Sequence, residues 1–183
     1  MMRVITGSAR GRRLETLEGE EITRPTTEAV KEAMFSMIQF ELEGRCVLDL
    51  FAGSAQLGIE ALSRGAGHCI FVENNRQAYK VAESNIRHCQ LYDRSRLVLS
   101  DAVSFLSRGG QYDIALVDPP YRQGLLLKCL PLLLPQMSDD GIVVCESARE
   151  EELPERLSGW YADRVRNYGK TKLTLYRREV TDE

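Results

Sequence analysis

The chain has 183 residues, of which 43% are hydrophobic and 28% charged, with a formal net charge of −3. That composition is that of an ordinary soluble chain with one sizeable core and one domain, and the net charge taken alone argues weakly against a nucleic-acid partner. The five cysteines (Cys46, Cys69, Cys89, Cys129, Cys145) form no C-x-x-C pair, so buried free thiols in a reducing cytoplasm are expected, and no metal.

The chain begins Met1-Met2-Arg3 and turns polar at once, unlike a signal peptide. Residues 1–26 are polar and Gly-rich. Short β-like pieces at Arg3–Thr6 and Arg13–Leu17 read as a hairpin or mobile arm. The arm carries Arg10, Arg12 and Arg13, and Arg24-Pro25-Thr26 closes the region. An amphipathic helix over Thr27–Leu42 follows, with Val30, Ala33, Met34, Met37 and Ile38 on one stripe.

From Arg45 strands and helices alternate. Strands read at Cys46–Leu50, Cys69–Val72, Leu97–Ser100, Ile114–Val117 and Ile142–Cys145. Helices read at Ala55–Arg64, Asn75–Cys89, Ala102–Ser107 and Leu125–Met137. Nearly continuous apolar strands between helices imply a parallel sheet covered on both faces. The apolar run Leu125–Leu134 holds Lys128 and Pro131 and is too short to span a membrane. Tyr161–Tyr168 and Thr171–Arg177 alternate polar and apolar around Gly169-Lys170, a terminal antiparallel hairpin. The fold class is therefore α/β, Rossmann-like, with an antiparallel C-terminal hairpin. The expected division is an arm and helix over 1–44 and a catalytic domain over 45–183.

In such sheets ligands bind beyond the carboxyl ends of the strands, near the topological switch point. The first strand ends Asp49-Leu50-Phe51-Ala52-Gly53-Ser54-Ala55-Gln56-Leu57-Gly58. Gly58 is followed by Ile59-Glu60, not Lys-Ser/Thr, which argues against a nucleoside triphosphate loop. Ala55 stands where a G-x-G-x-x-G dinucleotide fingerprint needs its middle glycine. S-adenosylmethionine has no phosphate and tolerates a looser loop. Its carboxylate suits a helix N-terminus, and its ammonium suits Asp49. Glu73 ends the second strand, placed for ribose hydroxyls, and Asp101 ends the third, placed for an adenine amino group. The candidate cofactor set is Asp49, Phe51, Gly53, Ser54, Glu73, Asn74, Asp101 and Ala102.

The fourth strand runs into Asp118-Pro119-Pro120-Tyr121. Asp118 and the Pro119 carbonyl can each accept an N–H bond from a planar amino group. Pro119 and Pro120 fix the backbone and remove competing donors. Tyr121 supplies a flat face for a base. A dehydrogenase has no evident use for this set, whereas an amino-methyltransferase does. The alternatives are an amino-methyltransferase on DNA or another RNA, a dinucleotide-dependent oxidoreductase, and a non-catalytic RNA-binding protein.

Further stretches carry a resemblance over nearly the whole chain. They are Ile5-Thr6-Gly7 with Arg10-Gly11-Arg12, Arg24-Pro25-Thr26-Thr27, Glu32-Ala33-Met34-Phe35, Leu48–Ser54, Leu57–Arg64, Asp118–Tyr121 and Val144-Cys145-Glu146-Ser147. With these the chain resembles the RsmD family of bacterial 16S rRNA guanine-N2 methyltransferases. The resemblance implies S-adenosylmethionine as cofactor and methyl transfer to N2 of a guanine in 16S ribosomal RNA, carried in a ribonucleoprotein particle. It also implies a cytoplasmic monomer without metal. Arg10, Arg12, Arg13, Arg24 and Thr26, with Lys170 and Lys172 on the hairpin, would contact RNA. Two positions depart from the family pattern. Ala55 replaces a glycine, costing about 1 kcal/mol if its φ is positive, with weakened cofactor affinity expected. Ala29 stands where an arginine is usual, in Glu28-Ala29-Val30.

Overall fold

Four apolar strands, buried on both faces or nearly so, form the parallel part of one sheet together with a fifth, partly exposed strand at its edge. The computed structural model describes residues 2–17 and 27–180. A small hairpin pairs β1 (Met2–Arg3) with β2 (Arg13–Leu14), and α1 (Glu28–Ile38) follows. The main elements are then β3 (Cys46–Asp49), α2 (Gln56–Ser63), β4 (His68–Glu73), α3 (Arg76–His88), β5 (Ser95–Leu99), α4 (Ala102–Leu106), β6 (Tyr112–Val117) and α5 (Leu125–Leu133). They end with β7 (Met137–Ala148), β8 (Arg156–Leu157), β9 (Trp160–Tyr168) and β10 (Thr171–Arg178).

The sheet order is β5-β4-β3-β6-β7-β10-β9-β8. β3 lies between β4 and β6, so the chain runs outward on one side and then on the other. The crevice beyond β3 and β6 is the topological switch point. The last three strands are antiparallel to their neighbours, and β10 joins β7. β10 buries Leu173, Leu175 and Tyr176, while residues 163–168 of β9 are exposed, so the apolar strand takes the inner place.

One core cluster joins Met34, Phe35 and Ile38 of α1, Leu57 and Ile59 of α2, and Ala82 and Ile86 of α3 to one face of the sheet. The other packs Phe105 of α4 and Leu126 and Leu130 of α5 on the opposite face. β7 is longer than the apolar run Ile142–Cys145 because its ladders reach from Tyr112↔Met137 to Thr171↔Ala148. The last expected helix stops at Leu133. Pro135 then sits in a 3-10 turn over Leu134–Gln136, and Met137 passes to the strand.

The arm is docked. Glu60, fully buried on α2, accepts the amides of Ile5 (3.0 Å) and Thr6 (3.2 Å) and pairs with Arg64 at 3.0 Å. Lys31 of α1, also buried, donates to the Arg3 carbonyl at 2.7 Å. Ser63 Oγ accepts from Ala9 N and donates to Thr6 O, at 2.9 and 2.6 Å. Gly7 has φ +91°, and a Cβ there would lie 1.7 Å from the Ser63 carbonyl oxygen, so only glycine passes. Val4, Ala9 and Leu14 share the first cluster with Val47, Ile59 and Leu173. No helix among the described residues is long and apolar enough to cross a membrane. No group of three or more His, Cys, Asp or Glu side chains among them could hold a metal ion. All five cysteines are free thiols, four of them buried.

Candidate active site

The four strand-end acids meet along one edge of the sheet, after β5, β4, β3 and β6 in spatial order. Backbone bonds stitch the loops beyond them together. Leu50 N donates to Leu116 O (3.2 Å), Ala52 N to Val72 O (2.9 Å) and Ser100 N to Glu73 O (3.0 Å).

Asp49 is wholly buried. Its Oδ2 accepts from Gly58 N at 2.9 Å, which ties the loop to the first turn of α2. Gly58 is required there, since a Cβ would lie 2.2 Å from the Phe71 ring and 2.7 Å from Cys69 Sγ. Asp49 Oδ1 is buried with no hydrogen-bond partner among the described residues. Burial pushes the Asp49 carboxyl up to about 7; the Gly58 amide acts against that rise, and the nearby Glu73 charge adds to it.

Glu73 uses each oxygen once, Oε2 accepting from Gly53 N (2.7 Å) and Oε1 from Asn75 N (2.9 Å). Each oxygen keeps a further lone pair. Asp101 caps α4, with Oδ1 accepting from Ser104 N at 3.0 Å; hydrogen bonding from the Ser104 side chain, and then from its amide, holds the carboxyl below the usual range. Phe51 is half-buried against the second cluster, Asn74 is exposed and Ala102 is buried. Ser54 is buried, and its carbonyl accepts from Asn85 Nδ2 at 2.9 Å.

Ala55 has φ +70° and ψ +16°, the left-handed conformation that favours glycine. It is fully buried in the first cluster. Its cost, about 1 kcal/mol, therefore falls at least partly on the fold, where the buried methyl also gives back packing.

Asp118 is half-buried, Pro119 buried and Pro120 exposed. Tyr121 is anchored in a way its sequence position did not reveal. Its hydroxyl donates to Glu146 Oε1 of β7 at 2.7 Å and lies 3.0 Å from Thr171 Oγ1 of β10. Glu146 is 1% exposed, so the ring is held by its polar end while the rest of the side chain stays half-exposed at the crevice. The signal for Glu146 was a lone carboxylate ending the apolar run Ile142–Cys145. The signal for Glu60 was a carboxylate within Leu57–Leu62, a helix buried all round.

The basic candidates divide. Arg10 and Arg13 are exposed on the arm. Arg12 bonds the His88 carbonyl and approaches Gln90 Oε1 at 3.5 Å, at the C-terminal end of α3. Lys170 is exposed at the hairpin tip, whereas Lys172 is half-buried and donates to the Glu151 carbonyl. Arg24 and Thr26 lie outside the described residues.

Comparison with known proteins gives a consistent picture. A family model described as conserved hypothetical protein 95 matches residues 2–177. The Bacillus subtilis (strain 168) protein YlbH is 39% identical, covering 97% of this chain and 99% of that one. The Escherichia coli (strain K12) protein named ribosomal RNA small subunit methyltransferase D is 35% identical, covering 100% of this chain and 92% of its own. The solved structure of yhhF from Escherichia coli superimposes with a TM-score of 0.88 at 35% identity, covering 98% of this chain and 99% of that one.

Proposed function

The chain belongs to the conserved hypothetical protein 95 family, the RsmD family, and from that premise we propose that it methylates the exocyclic N2 of a guanine in small-subunit ribosomal RNA with S-adenosylmethionine. The observation that carries the reading is the meeting of Asp118-Pro119-Pro120-Tyr121 with the Asp49 and Glu73 loops across the switch point between β3 and β6. The Escherichia coli relative's name supplies the class of substrate.

The residues present suit this cofactor. Asp49 Oδ1, buried and unpartnered among the described residues, is an acceptor that an ammonium group satisfies. Glu73 retains lone pairs for two ribose hydroxyls. Asp101, with Ala102 beside it, offers its second oxygen to an adenine amino group. Phe51, Gly53, Ser54 and Asn74 complete the cofactor set. When bound, S-adenosylmethionine supplies an electrophilic methyl group on a sulfonium.

The chemical difficulty is on the acceptor side, because the guanine N2 lone pair is delocalised into the ring. Asp118 carboxylate and the Pro119 carbonyl accept its two N–H bonds and turn the lone pair out of conjugation. Pro120 keeps that backbone rigid. Positioning then supplies much of the rate. The Asp118 charge stabilises the cationic nitrogen as it forms, and Asp118 takes the released proton. Leaving the stack costs the base a few kcal/mol. Stacking on Tyr121 returns about 1–3 kcal/mol, provided the ring is held still, which the Glu146 and Thr171 bonds do. Arg10, Arg12, Arg13, Arg24, Thr26, Lys170 and Lys172 form the RNA-contact set in this reading. Arg10, Arg13 and Lys170 are its exposed cations among the described residues.

The test is transfer of tritium from methyl-labelled S-adenosylmethionine to small-subunit ribosomal RNA, offered naked and as a protein-bound particle. Incorporation into neither substrate overturns the reading.

A further inference from the structure

β9 stands out among the strands of the sheet. Residues 163–170 are all exposed, on both faces of the ribbon. α1 shares the first core cluster with Leu173 and Leu175 of β10, Arg177 of β10 reaches Glu41 in the turn after α1 at 2.9 Å, and β9 continues the sheet beyond β10 as an exposed strand. The ladder with β10 fixes which side chains share a face. Arg164 lies opposite Leu175, Arg166 opposite Leu173, and Tyr168 opposite Thr171. Leu173 and Leu175 belong to the first core cluster, so Arg164, Arg166 and Tyr168 form a row on that same face. Val165 and Asn167 point the other way, as does Lys172, which is opposite Asn167.

The row leads to the acceptor site. Tyr168 is the cross-strand partner of Thr171, and Thr171 Oγ1 is 3.0 Å from the Tyr121 hydroxyl. The two arginines are available. Among the described residues the Arg166 side chain bonds only the Val165 carbonyl of its own strand, at 3.1 Å. Arg164 stands 3.8 Å from Asp163, an acid that Arg177 approaches more closely, at 3.3 Å. Tyr168 is 36% exposed.

We propose that Arg164, Arg166 and Tyr168 form a single-strand RNA track, the arginines holding phosphates next to the target nucleotide and the tyrosine stacking a neighbouring base. The proposal rests on the RNA reading above and deepens it. Cations at a two-residue strand repeat, about 6.8 Å, with an aromatic at one end, combine the two parts that single-strand binding needs: an electropositive path and a stacking platform. The occupant is the substrate's own backbone, because the row is continuous with Tyr121 and opposite in charge to phosphate. An acidic peptide would match the charge but has no cause to end at a methyl-transfer site.

The test is filter binding of a small-subunit ribosomal RNA transcript from about 50 to about 200 mM KCl. Replacing both arginines (Arg164→Gln, Arg166→Gln) should weaken binding about tenfold at the low-salt end and lower the log–log salt slope by about 1.4, the share of two single-strand phosphates. The pair Arg164→Lys, Arg166→Lys should keep the slope. Tyr168→Ala should weaken binding about tenfold with the slope unchanged. A wild-type slope in the Gln pair overturns the track, as does a Lys pair that behaves like the Gln pair. If replacing Arg10 and Arg13 lowers the slope while Arg164 and Arg166 do not, the track alone fails. If the unaltered chain shows no salt-dependent binding, the RNA reading fails with it.

Discussion

Replacing Asp49 by Asn should make the protein's stability less sensitive to pH between about 4 and 7. Asp49 is wholly buried, with one oxygen on Gly58 N and the other without a partner among the described residues. Its carboxyl is pushed from the usual 3.8 to about 7, chiefly by burial. The folded state thus holds this proton more tightly than the unfolded state. The stabilising effect of protonation is fully present below about pH 4 and is lost as pH rises to about 7. The displacement is about 3 pH units, worth on the order of 4 kcal/mol at about 1.4 kcal/mol each. Asn keeps an oxygen for the Gly58 amide but cannot ionise. Urea unfolding of both proteins at pH 5 and pH 7 isolates the group, since every other titration is shared. Relative to Asp49→Asn, the unaltered protein should lose about 2–3 kcal/mol between those pH values. An equal difference at both would refute the reasoning. A bound ammonium should also drive off the proton, so S-adenosylmethionine binding at pH 6 should release protons in the unaltered protein and none in Asp49→Asn, as read by calorimetry in two buffers.

Tyr121→Phe removes the bonds to Glu146 and Thr171 while keeping the ring. It should cost about 1–3 kcal/mol of stability and lower kcat for RNA about tenfold, with S-adenosylmethionine affinity unchanged by calorimetry; an unchanged kcat would show that the anchor is idle. Gly7→Ala drives a Cβ into the Ser63 carbonyl and should undock the arm, read as rapid proteolysis within residues 3–17 of a still-folded protein. Arg10→Ala with Arg13→Ala should flatten the salt dependence of RNA binding, whereas Arg12→Ala should act mainly on stability because Arg12 holds the end of α3.

The parallel sheet was legible because most of its strands are continuous apolar runs, and three of the five described α-helices start at a capping side chain. Thr27, Asn75 and Asp101 each accept amides of the turn they start. The strand-end acids were legible for the same reason, since each falls one or two residues past an apolar run. What could not be read is long-range or alternates with register. The Glu60 and Ser63 bonds to the arm join residues more than fifty apart, and nothing local marks them. On the hairpin, the resemblance pointed to Lys170 and Lys172 alike. The ladder turns Lys172 to the opposite face, onto the Glu151 carbonyl, and aligns Arg164 with Arg166. Asp163 is left out of that ladder at the bulge by Leu175 and Tyr176, which shifts the faces beyond it. Ala55 was recognisable as a departure, but its positive φ and full burial are properties of the folded turn.

The central claim is that Asp118 and the Pro119 carbonyl present a guanine amino group for methylation. The most direct test digests methylated small-subunit ribosomal RNA to nucleosides and identifies the product by mass spectrometry, with the unaltered protein and with Asp118→Ala. The account predicts N2-methylguanosine from the former, and from the latter none, with S-adenosylmethionine affinity retained. A methyl group on another base or atom, or near-full turnover by Asp118→Ala, would contradict it.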